Sequence, residues 1–214
     1  MSIKFNHLIK LLIAHEYKTE TIFKRIESKD IQKTGKENVA NITYKELGGI
    51  QEHFPSFEVT RTVIGPQIIL LFDEGLHFNR YRNLTLRSEI YNSIPAFPLE
   101  NYRRYCRNYE KECAKAGLKT GAWSNTKSDF YFGASAIPGD FFKNGSGGWK
   151  LTAFKDFMED IYWPFSGYRL LRIASYDHFM AEGKLVRIDS ILERPSHPFQ
   201  MHLIKFLDRR INSL

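Results

Sequence analysis

The stretch "LLFDEGLHFNRYRNLTLR", Leu70 to Arg87, sets two adjacent carboxylates, Asp73 and Glu74, directly after an apolar run and follows them with His77, Arg80, Arg82 and Arg87. A carboxylate at the end of a buried strand is costly unless it is paired, hydrogen-bonded or bound to a cation. Hard divalent cations choose carboxylate oxygen, and the planar fork of arginine bonds two phosphate oxygens at once. Acid, cation and arginine together describe phosphodiester chemistry. Side chains alternate across a strand, so Asp73 and Glu74 point to opposite faces unless the chain has already turned, and strand geometry makes only one of them deep. The competing account is structural: one acid caps the helix that follows and pairs with Arg80 or Arg82.

The elements that must position these residues can be read from pattern. Phe5, Leu8, Leu12 and Ile13 fall near helical spacing, which predicts a helix from about residue 3 to 27. The polar stretch "SKDIQKTGKENVANIT" predicts a surface loop, and "YKELGGI" a helical turn ended by Gly48 and Gly49. "FEVTRTVI" and "QIILLFD", separated by Gly65-Pro66, predict two strands with a tight reversal. The second is apolar on both faces, as a central strand covered on both sides should be. Helix is expected again over "HFNRYRNLTLRSEIY", stopped by the prolines of "SIPAFP", and over "LENYRRYCRNYEKECAKAG", ended by Gly117. Residues 118–148 read as a long irregular excursion, of the kind that is usually functional or mobile. A helix "WKLTAFKDFMEDIYW", strands "YRLLRIASYD" and "KLVRIDSIL" and a helix "FQMHLIKFLDRRI" follow. The expected architecture is a single α/β domain over residues 1–214, a mixed central β-sheet flanked by helices.

Bulk properties bound the chemistry without choosing it. At 214 residues and 43% hydrophobic, the chain supports one sizeable core. A net charge of +7 suits a polyanionic partner but is common without one. Cys106 and Cys113 sit seven apart in one expected helix, about 10 Å along its axis, too far for a disulfide between them. Free thiols suit a reducing compartment, so a soluble, cytoplasmic protein is expected. No apolar run approaches the roughly 20 residues of a membrane helix, and Lys10, His15 and Glu16 interrupt the first one in a way a signal peptide does not.

An apolar strand ending in Asp73, then Gly75, His77, an arginine-bearing helix with Arg80 or Arg82, and a later strand "GYRLLRI" with Gly167 and Arg172, resemble the Vsr-like branch of the PD-(D/E)XK nuclease superfamily. "FDEGLHFNRYRNLTL" with the later "WKLTAFKDF" also resembles a group of small bacterial proteins of no established activity. The first resemblance implies a restriction-endonuclease-like fold and a metal-dependent DNA endonuclease with a restriction, repair or defence role. It implies Mg2+ or Mn2+ on Asp73 with help from Glu74, and His77 positioning water or binding the scissile phosphate. Arg80 and Arg82 would then stabilise the developing charge, with Arg87, Arg103, Arg104 and Arg172 as further nucleic-acid contacts. DNA is the expected partner, a homodimer is a permitted assembly, and no membrane partner is expected.

The chain departs from that pattern in places. The E-x-K expected on the strand after the aspartate is missing, and the literal match Glu182-Gly183-Lys184 falls in an expected turn. The acid usually found two residues before the aspartate is Leu71. A further metal ligand must come from Glu74 or Glu58, and a lysine from Lys150 or Lys155, although Glu58 and both lysines also read as plain surface charges. "GSGGWK" lacks P-loop spacing, His197, His202 and the cysteines lack zinc spacing, and no G-x-S-x-G elbow is present. Arg103, Arg104 and Arg107, interleaved with tyrosines, could follow phosphates or form a solvated helix face. The alternative to an enzyme is a non-catalytic nuclease-like protein that binds nucleic acid or a protein partner, with Asp73, Glu74, His77 and the arginines as a structural ion-pair network. A small-molecule enzyme with the excursion as a lid is a third reading.

Overall fold

The computed structural model describes residues 2–135, 137, 139–141, 146–194 and 198–214; His197 and part of the "KNGSGG" stretch lie outside them. In chain order the elements are α1 (Ile3–Ala14), β1 (Thr19–Ile26), α2 (Ser28–Lys33), α3 (Glu37–Glu46), β2 (Phe57–Ile64) and β3 (Ile68–Asp73). Then come α4 (Arg80–Thr85), α5 (Leu99–Asn108), α6 (Glu110–Thr120), α7 (Thr126–Phe132) and the long α8 (Gly147–Phe165). After these follow β4 (Arg169–Ala174), β5 (His178–Ala181), β6 (Lys184–Arg187), α9 (Ile188–Leu192) and α10 (Gln200–Asn212).

The central sheet is mixed and four-stranded, in the order β1-β2-β3-β4. β1, β2 and β3 run antiparallel in a meander, and β4 lies parallel to β3 with Leu71 opposite Arg172 and Asp73 opposite Ala174. A parallel neighbour needs a long crossover, and the segment from α4 to α8 provides it. Alternation along β3 sorts its side chains cleanly: Ile68 and Leu70 join a core with Leu8 and Leu12 of α1 and Leu203 and Leu207 of α10, while Ile69 and Leu71 join the core on the α8 side. Both faces are therefore covered, as the all-apolar "IILLF" run predicts.

Several expected elements change. The helix expected over residues 3–27 stops at Ala14; Glu16 turns through φ 65°, and Thr19–Ile26 pairs as an edge strand along all of β2. The β-branched Thr19, Thr21 and Ile22 favour that outcome, and cross-strand packing on β2 outweighs the helical spacing of the residues before them. The expected polar loop holds α2 and most of α3, because Ile31, Ala40 and Tyr44 bury one face of each helix in the core. The single helix expected over residues 99–117 is α5 and α6, broken at Tyr109, so each cysteine sits on its own helix; both are buried and free. Gly117 is not a terminator but a contact point. A Cβ there would lie 2.0 Å from the Trp149 ring. The excursion contains α7, and Gly148 packs the first turn of α8 onto the backbone of Ala122 and Trp123, where a Cβ would lie 2.2 Å from a carbonyl oxygen. Glu182, at φ 49°, sits in the turn between β5 and β6, as the sequence predicts. No described helix is long and apolar enough to cross a membrane.

The α8-side core is built around Phe154, whose ring contacts Tyr44, Phe54 and Phe57 at centroid distances of 5.4, 5.7 and 6.1 Å. Phe154→Ala should lower the unfolding free energy by about 3–5 kcal/mol, and Phe23→Ala, on the exposed side of β1, by far less. Urea denaturation of the two variants checks both.

Candidate metal centre

Alternation that places Ile69 and Leu71 on the α8 face places Asp73 there as well. The same rule on β4 puts Arg172 with Leu170 and Ala174, and on β2 puts Arg61 with Val59 and Val63. Against these polar positions α8 presents Asp156, Glu159 and Asp160, spaced i, i+3, i+4 on one stripe and all buried. Three acids buried on one stripe of a core helix are the signal that a reading centred on Leu70–Arg87 passes over.

Each acid meets a cation. Arg172 bonds Asp73 Oδ2 through Nη1 and Asp160 Oδ1 through Nε at 2.6 Å, and its Nη2 donates to the Asp156 carbonyl at 3.2 Å. Arg82 Nη2 donates to Asp160 Oδ2 at 2.7 Å, where the Tyr91 hydroxyl also donates. Arg61 holds Glu159 with two nitrogens, Nε at 2.6 Å. The Tyr102 hydroxyl donates to Asp73 Oδ2 at 2.8 Å. Four carboxylates thus face three guanidiniums, and His77 supplies what is left: its Nδ1 lies 2.8 Å from Asp156 Oδ2 and 3.6 Å from Asp73 Oδ1. Burial opposes charge on His77, but the Asp156 and Asp73 carboxylates outweigh it and hold its pKa above the usual imidazole value. Asp156, although buried, is held far below the usual carboxylate range by His77 and Arg172.

One donor atom each from Asp73, His77 and Asp156 lies within 4.8 Å of the others, a spacing that suits a bound cation. The cluster opens into a cleft of about 560 Å3 that Arg61, Glu74, Lys155 and Glu58 also line. His77 sits at its edge because Gly75–His77 forms a single 3-10 turn after β3, with Asn79 then capping α4 through the amides of Tyr81 and Arg82.

The expected site residues therefore divide. Asp73 and His77 come together, with Asp156 as the unforeseen third member. Glu74 and Glu58 line the cleft outside the three-atom cluster; Glu58 is exposed, 4.0 Å from Arg25. Lys150 stands away from the cleft, over the Tyr81 ring at 5.7 Å, whereas Lys155 lines it. Arg82 and Arg172 are consumed by the buried network. Arg80 is held by Glu110, Arg103 by Glu100 and the Leu86 carbonyl, and Arg104 by Asn101, while Arg87 lines a separate groove beside α3. Burial pushes the Cys106 and Cys113 thiols up to about 12, which removes them as nucleophiles at neutral pH.

Residues 42–194 match the model of a family of unknown function, DUF7255, and the chain belongs to that family. No curated protein and no solved structure matches it.

Removing one side of a buried pair strands the other. Asp160→Ala, which leaves Arg82 and Arg172 without their shared acid, should cost about 3–5 kcal/mol in urea denaturation. In metal-free buffer the His77 contribution has a defined sign. Its folded pKa is raised, so the stabilisation is full below the ordinary value of about 6.5 and fades as pH rises through the folded value. Stability curves of the protein and His77→Asn should therefore converge as the buffer is made alkaline.

Proposed function

Membership of DUF7255 assigns no activity, and we propose that the chain is a metal-dependent phosphodiesterase acting on DNA, with Asp73, Asp156 and His77 as its cation site. The observation that carries this is the convergence of two carboxylates and an imidazole at the wall of a cleft, with one negative charge left for a proton or a cation. The resemblance of the Asp73–Arg82 and Gly167–Arg172 stretches to Vsr-like PD-(D/E)XK nucleases supports the substrate, and a mixed sheet covered on both faces agrees with a restriction-endonuclease-like fold. Asp156 supplies the second acid that the sequence pattern leaves open.

The donor set fits a divalent cation. Two carboxylates suit Mg2+ and Mn2+, and the imidazole nitrogen shifts the preference towards Mn2+. Such an ion, when bound, activates a water and neutralises the leaving oxygen. The chain's own residues supply the rest. Tyr102 and Arg172 both bond Asp73 Oδ2 and so fix the carboxylate with Oδ1 towards His77. Arg172 also holds the Asp156 backbone, which sets the height of α8 over the strand ends. Arg61, braced by Glu159 and part-exposed at the cleft, is the arginine placed to meet a substrate phosphate.

Incubation of plasmid and single-stranded DNA with the protein, Asp73→Asn and Asp156→Asn, each with Mn2+, Mg2+ or EDTA, tests this. Cleavage by the parent with Mn2+, weaker with Mg2+, absent with EDTA and lost in both folded variants is expected. Absence of cleavage throughout, with strong destabilisation in both variants, would assign these residues to a structural network and the protein to a binding role. A ligand imidazole must lose its proton, so Mn2+ affinity should also rise with pH across the titration of His77 and level off above it, as calorimetry in buffers of different ionisation enthalpy would read.

A further inference from the structure

A second cleft of about 480 Å3 adjoins the acid cleft, and the two share Glu58 and Lys155. It lies between the first residues of β2, the start of α7 and one side of α8. Arg25, Lys127 and Lys155 all line it, against Glu58 as its carboxylate among the described residues. Arg25 is paired with Glu27 at 2.8 Å. The Lys127 ammonium donates to the Ser56 carbonyl and sits 4.8 Å over the Phe57 ring. Lys155 has no ion pair or hydrogen bond among the described residues. Burial and the Lys155 charge, partly offset by Glu58 and reinforced by Arg25, hold the Lys127 pKa below its usual value. With Arg25 paired to Glu27, Lys127 and Lys155 face Glu58 at the wall of a concave surface and leave ammonium donors unused.

The position of this cleft is informative. Lys155 precedes Asp156 on α8, so its backbone adjoins that of a residue of the cation site. We propose that the Arg25–Lys127–Lys155 cleft binds a backbone phosphate of the same nucleic-acid strand whose neighbouring linkage lies at the Asp73–Asp156 site. This rests on the phosphodiesterase reading of that site and deepens it. The strand enters over β2 and α7 rather than along the arginine face of α5, because Arg103 and Arg104 already pair within their own helix and α5 is not among the elements lining either of the two clefts. Phosphate contacts of this kind carry affinity and register without reading sequence.

The test is fluorescence anisotropy of a labelled single-stranded and a labelled duplex oligonucleotide in EDTA, titrated across NaCl concentration, with the parent, Lys127→Ala/Lys155→Ala and Lys127→Arg/Lys155→Arg. Each lost phosphate contact lowers the slope of log affinity against log salt by about 0.7 for a single strand and 0.9 for a duplex. The alanine pair, which removes the one phosphate contact of the cleft, should therefore lower the slope by about 0.7–0.9, and the arginine pair should keep the parental slope. A slope unchanged in the alanine pair, in a variant that melts like the parent, overturns the phosphate cleft whether or not the parent cleaves DNA. A slope reduced in the alanine pair while the parent cleaves nothing with any metal overturns the phosphodiesterase reading and leaves the cleft standing as a nucleic-acid contact.

Discussion

Four carboxylates taken out of water between a sheet and a helix are the constraint on which the α8 side of the molecule depends. An isolated buried ion costs several kcal/mol even after relaxation, and geometry must return that cost through close pairing. Arg61, Arg172 and Arg82 reach Glu159, Asp160 and Asp73 from β2, β4 and α4, so α8 is tied to three separate elements at once. Moving α8 by one residue along its axis would turn the i, i+3, i+4 stripe away from all three arginines. The ion pairs therefore set the registration of the crossover helix, while Phe154, Phe157 and Ile161 on the same helix provide the apolar burial that drives it onto the sheet.

The two sheet faces do different work. On the α1 and α10 side, Ile68, Leu70, Leu171 and Ile173 pack without a polar interruption. On the α8 side, each of the three strands β2, β3 and β4 carries one ionisable residue at an otherwise apolar face. A sheet needs only its hydrophobic pattern to be covered by a helix, and polar residues at core positions are costly exceptions. Here the three exceptions, Arg61, Asp73 and Arg172, all line one cleft.

Much of this was legible in the residues. The buried central strand, the acid at its end, the β2–β3 reversal and the later strand beginning after Gly167 all follow from local pattern. What was not legible was convergence. Asp156 lies 79 residues from His77 in sequence, and its partner at 2.8 Å is decided by the crossover, not by spacing. The roles of the arginines reversed for the same reason: Arg82 and Arg172 look like substrate contacts in sequence but are interior counter-ions, and Arg61, a strand residue with no motif, faces the cleft. β1 was missed because an edge strand is defined by its partner, and β2 is 30 residues further on.

The identity of the fourth cation separates a scaffold from a site. Three partners are guanidiniums that keep their charge at any physiological pH, and two of these are sealed from solvent. The fourth is an imidazole on a single 3-10 turn, 29% exposed at the cleft wall, and it alone can give up its charge and stay folded in place. When His77 is protonated the cluster is balanced; when it is neutral, Asp73 and Asp156 hold an uncompensated negative charge at the wall of the cleft. A fourth arginine would have closed the balance for good. Histidine leaves it open, and the Asp156 and Asp73 carboxylates hold the imidazole pKa above its usual value against the effect of burial.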